Sequence, residues 1–304
     1  MFGTIVIGYD GPDRGGDAVA LGELLRDPRK GWLLLASTYS LAPAVAGGFV
    51  VPEEVDALRD DTERRLIEAR AALPHTDRVR IRGIPSASPP RVLTELAEAE
   101  QADLVVVGSS HRGAIGRVLP GTTAERLLHG APCAVAVAPR GYRRGEIRRI
   151  GVAYDGSPEA EAALRAAESL ALEFGAALTV YSVVEPARPT DSMIAAGTGA
   201  EWPSQAAKDR ARRLLYAVAD EAPDGLDLET LLLRGDPAAQ IAGRAHGAID
   251  LLFLGSRGYG PLRRALLGSV SGALVRDAGC PVVVMPRTAV APRRAQNSAV
   301  AAGA

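Results

Sequence analysis

A glycine-containing segment in the second half of the chain has the composition of a phosphate-binding loop. Residues 255–258 read GSRG, nine residues follow, and residues 268–270 read GSV, which gives the pattern G-x2-G-x9-G-S. Glycines permit a positive φ and let backbone N–H groups approach an anion closely. Where such a loop runs into a helix, the first N–H groups and the helix dipole favour a phosphate. The candidate contacts are Gly255, Arg257, Gly258, Gly268, Ser269 and Val270.

The same segment also has a purely structural interpretation. The glycines could simply form a strand-to-helix loop, with Ser269 as the N-cap of the helix. Two features favour the phosphate interpretation: the nine-residue spacing is long enough to wrap over a phosphate chain, and an acidic residue follows the first strand of each half, Asp10 and Asp155. A carboxylate there could accept hydrogen bonds from an adenine amino group or a ribose hydroxyl. The alternative for Asp155 is a local Asx turn with Gly156.

The two halves of the chain are copies of one unit. Residues 104–109 (LVVVGS) match residues 251–256 (LLFLGS), a shift of 255 − 108 = 147. The same shift relates Gly121 to Gly268, Cys133 to Cys280 and Pro139 to Pro286, and residues 7–11 (IGYDG) match residues 152–156 (VAYDG) at a shift of 145. A period near 147 residues is too long for a solenoid repeat and indicates a duplicated domain.

Each half alternates strands and helices. In the second half we predict strands at 150–154, 178–184, 228–233, 251–254 and 281–285, with helices at 157–174, 205–222 and 237–241. Continuous apolar runs such as residues 104–107 are typical of strands buried on both faces of a parallel sheet. The predicted fold class is α/β, with two tandem doubly wound domains, each a five-stranded parallel sheet flanked by helices. We expect domains at 1–140 and 147–288, and a disordered tail at 289–304.

The first half departs from the loop pattern. Its loop reads Gly108-Ser109-Ser110-His111, then nine residues, then Gly121-Thr122, so His111 stands where the second half has a glycine. A side chain at this position could leave the pocket degenerate and empty, or the imidazole could itself contact a phosphate as a cation or donor. The candidate contacts are Asp10, Gly108, Gly121 and Thr122.

The G-x2-G-x9-G-S loop, residues 154–158 (YDGSP) and residues 280–284 (CPVVV) together resemble the universal stress protein family in its tandem two-domain form, over about 285 residues. The resemblance implies a Rossmann-like fold of the adenine nucleotide alpha hydrolase type. It implies ATP, ADP or AMP in the crevice, with or without Mg²⁺. It places Asp155 and Val183 near the adenine, and Gly258, Gly268 and Ser269 on the phosphates. Some family members bind nucleotide and others do not, and the loop glycines separate them.

The remaining features exclude several other classes of function. A net charge of -1 gives no general attraction to nucleic acid or an anionic membrane. No signal segment or membrane-spanning run is present, which predicts a cytoplasmic protein. No G-x4-G-K-[ST] motif occurs, so the chain is not a P-loop NTPase. The two cysteines, Cys133 and Cys280, are expected to be small buried apolar residues, and no histidine has metal-ligand spacing. Arginines 112, 117, 257, 263 and 264 lie in or near the loops, where they could neutralise phosphates or only solvate the loop.

Three functions remain open from the sequence. The first is a regulatory protein whose conformation or partner choice depends on bound nucleotide. The second is a slow ATPase or an enzyme that handles adenylated substrates, although no motif supplies a general base. The third is a nucleotide-free assembly protein that pairs through its apolar final strands. We expect either a homodimer or a pseudo-symmetric monomer, and the family resemblance implies self-association through exposed final strands. Segments 42–52 and 186–204 could cover the crevices or be surface loops.

Overall fold

A computed structural model describes residues 1–42, 45–46, 49–110, 118–143, 145–185, 205–256 and 267–286. In the first half the strands are β1 (Thr4–Gly8), β2 (Trp32–Tyr39), β3 (Val45–Ala46), β4 (Phe49–Val50), β5 (Val79–Pro85), β6 (Leu104–Gly108) and β7 (Ala134–Ala138), and the helices are α1 (Pro12–Leu25), α2 (Pro52–Ala71), α3 (Pro89–Ala99) and α4 (Thr122–Gly130). In the second half the strands are β8 (Arg149–Ala153), β9 (Ala177–Val184), β10 (Leu228–Arg234), β11 (Leu251–Gly255) and β12 (Val282–Met285), and the helices are α5 (Pro158–Phe174), α6 (Gln205–Asp220), α7 (Pro237–Ala245) and α8 (Ser269–Asp277).

Each half contains the predicted five-stranded parallel sheet. The strand order is β5-β2-β1-β6-β7 in the first half and β10-β9-β8-β11-β12 in the second, and each neighbouring pair within a half is parallel. The winding direction reverses between the first and fourth strands of each half, β1 and β6 or β8 and β11. Ligands of doubly wound folds bind in the crevice beyond the carboxyl ends of such strands.

The two final strands join the halves into one sheet. β12 pairs with β7 in antiparallel register, with Val283 opposite Ala136, flanked by Val282 opposite Val137 and Val284 opposite Val135. Since 283 − 136 = 147, repeat-equivalent residues face each other, so a local two-fold axis passes through this pair. The expectation that the final strands are exposed is therefore wrong: they pair inside the chain, and β5 and β10 are the outer strands of the ten-stranded sheet.

Both faces of the sheet are buried. Ile5 and Ile7 belong to one apolar cluster, which also includes side chains of α1, α2, α5 and α6, whereas Val6 belongs to a second cluster with α3, α4, α7 and α8. Successive strand residues point to opposite faces, so the continuous apolar runs of the sequence supply both cores. Both clusters contain residues of both halves, so the halves share their cores across the β7–β12 seam.

Local capping explains where the second-half helices begin and end. The hydroxyl of Ser157, the N-cap of α5, accepts a hydrogen bond from Ala160 N at 3.2 Å, and Gly175 ends the helix with φ 62°. Both features confirm the prediction. Helix α7 runs to Ala245, four residues beyond the predicted end at Ile241, because both residues lie on its buried face.

A pair of repeat-related aspartates fastens the first strand of each half beside the fourth. Asp103 Oδ2 accepts hydrogen bonds from Gly3 N and Thr4 N, both at 2.9 Å. Asp250 Oδ2 accepts them from Arg148 N and Arg149 N, both at 3.0 Å. Because 250 − 103 = 147, these aspartate-to-backbone hydrogen bonds are part of the repeat. They align the two strands that flank each crevice, and the sequence pattern did not single them out.

The two thiols are expected to be inert in the folded protein. Burial raises the pKa of both Cys133 and Cys280 from 9.0 to about 12, so the reactive thiolate is scarce at neutral pH. Ellman's reagent should therefore label neither cysteine in the native state and both in denaturant. Since the thiols ionise earlier in the unfolded chain, the free energy of unfolding should fall as pH rises from about 9 to about 12. Rapid labelling of native protein at pH 8 would contradict this prediction.

Across the residues that the structure covers, no helix combines the length and apolar character needed to cross a membrane.

Candidate functional site

A cavity of about 370 Å³ opens at the carboxyl ends of β8, β9 and β11 in the second half. Four of the predicted site residues line it: Asp155, Val183, Gly255 and Val270. They come from three strand ends and from the first turn of α8, and the strand reversal brings them together. The volume lies within the range of roughly 300–1,000 Å³ that is usual for small-molecule sites.

Asp155 lies in a tight turn on the wall of this cavity. Its Oδ1 accepts a hydrogen bond from Ser157 N at 3.0 Å, and Gly156 has φ 77°, so the Asx turn weighed from the sequence is present. A local Asx turn and a contact with a nucleotide are compatible roles for Asp155, because the turn holds the carboxylate at the end of β8, where it lines the cavity.

Helix α6 packs against the same turn and brings an arginine to the cavity. A Cβ on Gly156 would lie 2.9 Å from Leu214 Cδ2, so the helix lies close to the turn. Arg210, one helical turn before Leu214, lines the cavity, is exposed, and forms no ion pair with any other residue that the structure describes. No motif marks α6, so the sequence pattern did not indicate Arg210. The available signal was its i, i+4 spacing from the apolar Leu214, which places both side chains on one face of the helix.

Gly255 is required by packing rather than by a positive φ. It is the last residue of β11, and a Cβ there would lie 2.7 Å from Ala160 N and 2.7 Å from the carbonyl carbon of Glu159. Both are backbone atoms of the first turn of α5. The absence of a side chain therefore lets α5 approach the strand end that borders the cavity, and Gly255 makes no use of the positive φ that a glycine permits.

Gly268, not Ser269, is the N-cap of α8. Its φ of -63° and ψ of 158° are extended values that any residue adopts, so this glycine has no need of a positive φ either. Ser269 is the first helical residue, and its exposed hydroxyl makes no hydrogen bond with the other described residues. The alternative in which Ser269 serves as the N-cap is wrong, because the glycine already occupies that position.

Ser271, which no sequence motif indicated, connects α8 to β11, the fourth strand of the second half. Ser271 Oγ donates a hydrogen bond to Gly255 O at 2.7 Å. This bond sets the first turn of α8 directly beside the end of β11, which defines one wall of the cavity. The first half has Ala124 at the equivalent position (271 − 147 = 124) and cannot form the bond.

The first half has its own crevice, of about 820 Å³. Its lining includes the four predicted residues Asp10, Gly108, Gly121 and Thr122, together with hydroxyl-bearing side chains that include Thr38, Ser40, Ser86, Ser110 and Thr123. Gly121 is the N-cap of α4 with φ -81° and ψ 173°, and among the described residues a Cβ on it would meet only Ser110 Cβ, at 3.8 Å. The crevice therefore persists in the half that lacks the complete motif.

Two hydrogen bonds close the base of the first-half loop. Ser110 N donates to Leu119 O at 2.7 Å, and Leu119 N donates to the buried Ser109 Oγ at 3.2 Å. The loop thus leaves and re-enters the fold at one point beside the crevice. Several candidate contacts lie outside the described residues: Arg257, Gly258, His111, and arginines 112, 117, 263 and 264. Segment 186–204 and the tail at 289–304 also lie outside them.

Within the described parts of the chain, no group of three or more His, Cys, Asp or Glu side chains is placed to hold a metal ion.

Comparison with known proteins agrees with this architecture. A model of the universal stress protein family matches the chain twice, at residues 1–139 and 146–286. A universal stress protein of Mycobacterium bovis is 30% identical over 202 residues, which are 64% of this chain and 68% of that protein. One from Thermus aquaticus is 28% identical over 137 residues, 44% of this chain but 97% of that protein, so it has the length of one half.

The crystal structure of a universal stress protein from Archaeoglobus fulgidus superposes with a TM-score of 0.67 over 93% of this chain and 98% of that one, at 18% identity. At this identity the superposition shows a shared fold. Together with the two family matches it leads to one conclusion: the chain belongs to the universal stress protein family and carries two copies of the family's domain in tandem.

Proposed function

We propose that this protein binds an adenine nucleotide, ATP, ADP or AMP, in the second-half crevice, and that occupancy regulates its conformation or its choice of partner in a stress response. The observation that carries the proposal is the convergence of Asp155, Val183, Gly255 and Val270 on one cavity at the strand-order reversal. These residues are far apart in the sequence. Asp155 and Val183 are the ones expected near the adenine, while Gly255 and Val270 belong to the loop and helix start whose Gly258, Gly268 and Ser269 were expected on the phosphates.

The cavity offers different chemistry at its two sides. Asp155 and Val183, at the ends of β8 and β9, provide a carboxylate and an apolar surface, which suit the amino group and the face of an adenine. The first turn of α8 lies on the other side, where helix N–H groups and the dipole favour phosphates. Arg210 adds a positive charge at the wall of a cavity that also has the carboxylates of Asp155 and Glu185 in its lining.

The assembly alternative loses its structural basis. It required an apolar final strand with an unpaired edge, but β7 and β12 occupy each other's edges. The regulatory proposal requires only that the occupied and unoccupied forms differ, which a nucleotide bridging β8, β9 and α8 would achieve by tying these elements together.

The deciding experiment identifies the nucleotide and counts it. Purified protein is denatured, released nucleotides are identified by mass, and nucleotide-free protein is titrated with ATP, ADP and AMP by calorimetry, with and without Mg²⁺. We expect at least one adenine nucleotide site per chain. Two sites per chain would show that the first-half crevice also binds, with His111 tolerated.

An absence of released nucleotide, combined with a thermal midpoint that millimolar ATP does not move, would contradict the proposal. Magnesium-dependent turnover that persists through repurification and disappears in a loop variant would instead support the ATPase alternative.

A further inference from the structure

One side chain of the first half reaches the loop of the second. His129 lies in the last turn of α4, and its Nδ1 accepts a hydrogen bond from Leu267 N at 3.1 Å. Leu267 immediately precedes Gly268, the N-cap of α8. An accepting Nδ1 means that the neutral imidazole carries its proton on Nε2.

The side chain of Leu267 is held as well as its backbone. It packs against the apolar cluster that includes Leu274 and Val275, and its Cδ2 lies 3.5 Å from where a Cβ on Gly272 would be. An apolar residue just before the N-cap that packs against its own helix helps to fix the angle at which the chain enters that helix. The apolar cluster therefore holds the side chain of Leu267, and His129 of the first half holds its backbone.

The equivalent residues cannot form the same hydrogen bond between the second half and the loop of the first half. The equivalent of Leu267 is Pro120 (267 − 147 = 120), which has no N–H to donate. The equivalent of His129 is Arg276 (129 + 147 = 276), which has no acceptor atom. The first-half loop instead contacts the other half through its backbone, with Val118 N donating to Ala278 O at 3.4 Å. The donor and acceptor thus exist only for the half with the complete G-x2-G-x9-G-S motif.

We propose that His129 is a positioning residue of the second-half nucleotide site, contributed by the first half. It holds the Leu267–Gly268 backbone so that the first N–H groups of α8 meet the phosphates in a fixed orientation. This inference rests on the proposed function, since the site it serves is the nucleotide site. The complete site then requires both halves, joined through β7 and β12.

The test measures nucleotide affinity in a chain that also carries Gly121→Asp, which restricts the titration to the second-half site. His129→Ala should weaken ATP binding by about threefold to tenfold, the range expected when one hydrogen bond is lost. His129→Asn should restore the affinity, because the asparagine Oδ1 lies the same number of bonds from Cβ as the histidine Nδ1. His129→Gln places its amide one bond further out and should not restore it. Arg126→Ala, which alters another exposed residue of α4, is the matched control and should leave the affinity unchanged.

The outcomes separate the two proposals. If the Gly121→Asp parent binds no nucleotide, the proposed function fails, and this inference fails with it. If the parent binds and His129→Ala binds equally well, only the inference is overturned. If the His129→Ala and His129→Asn variants bind ATP equally weakly and have equally lowered thermal midpoints, His129 has a general structural role and the inference is again overturned. The inference is supported if His129→Ala binds ATP more weakly and His129→Asn restores the affinity, with the thermal midpoint unchanged.

Discussion

Replacing Gly268 with aspartate is expected to abolish nucleotide binding at the second-half site without lowering the stability of the protein. The backbone at Gly268, with φ -63° and ψ 158°, has extended values that any residue adopts, so the substitution introduces no backbone strain. Aspartate is also among the best N-cap residues and interacts favourably with the helix dipole, which should raise the helix stability by a few tenths of a kcal/mol over glycine. The same carboxylate would lie where the phosphates are proposed to bind. Like charges at such a distance cost several kcal/mol, so affinity should fall by about 100-fold or more.

The matched control is Gly268→Asn, which has nearly the same shape and caps the helix equally well but carries no charge. Calorimetric titration with ATP and urea unfolding should be run on both variants. We expect both to unfold at or above the wild-type midpoint, with aspartate binding much more weakly than asparagine. Equal binding by aspartate and wild type would show that phosphates do not approach the start of α8.

Replacing Gly255 with alanine is expected to cause a large loss of stability, whereas the Gly268 substitution is expected to leave the stability intact. The added methyl would lie 2.7 Å from two backbone atoms of α5, Ala160 N and the carbonyl carbon of Glu159, which cannot rotate away as a side-chain end could. Helix α5 must therefore move off the sheet, at a cost of about 3 kcal/mol, the upper part of the usual range for overpacking. Because Ser157 caps α5 and also donates its N–H to Asp155, the movement should disturb the crevice too.

Gly243→Ala is the control for this effect within the same half. Gly243 lies in α7, and no other described part of the chain comes within 4 Å of its Cβ position, so alanine should raise stability there by about 0.5–1 kcal/mol through helix propensity. Urea unfolding of the three nucleotide-free proteins measures both changes. An unfolding midpoint of Gly255→Ala equal to that of wild type would mean that α5 can shift without cost, and that packing is not the reason for this glycine.

Gly255 and Gly268 show that the same residue type in one motif can have different structural causes. The sequence pattern offered two causes for these glycines, freedom to adopt a positive φ and close approach of an anion, and neither glycine has a positive φ. Gly255 is needed because a helix backbone lies against it. Gly268 needs no positive φ, and the cause that we propose for this glycine is the close approach of a ligand. A motif records which residue types recur, and it does not record the atom that would collide with a side chain.

Local features were predictable because their causes are local. The hydroxyl of Ser157 caps the helix that begins one residue later, Gly175 ends the same helix, and apolar runs form strands that are buried on both faces. The duplication was visible because both copies keep their order and spacing. The same reasoning placed Asp155 and the G-x2-G-x9-G-S loop at neighbouring strand ends, since parallel α/β sheets bring these ends to one edge.

The sequence by itself therefore determined the duplicated α/β domain, the strand ends that form each crevice, and the inequality between a complete loop and one with His111. Only the tertiary structure decided how the halves join, which outlying side chains reach the crevice, and why Gly255 has no side chain. The antiparallel β7–β12 pairing, Arg210 on α6, and the bond from Leu267 to His129, 138 residues away, all depend on contacts between distant parts of the chain. Such contacts are set by how whole elements pack, and no local pattern of residues encodes them.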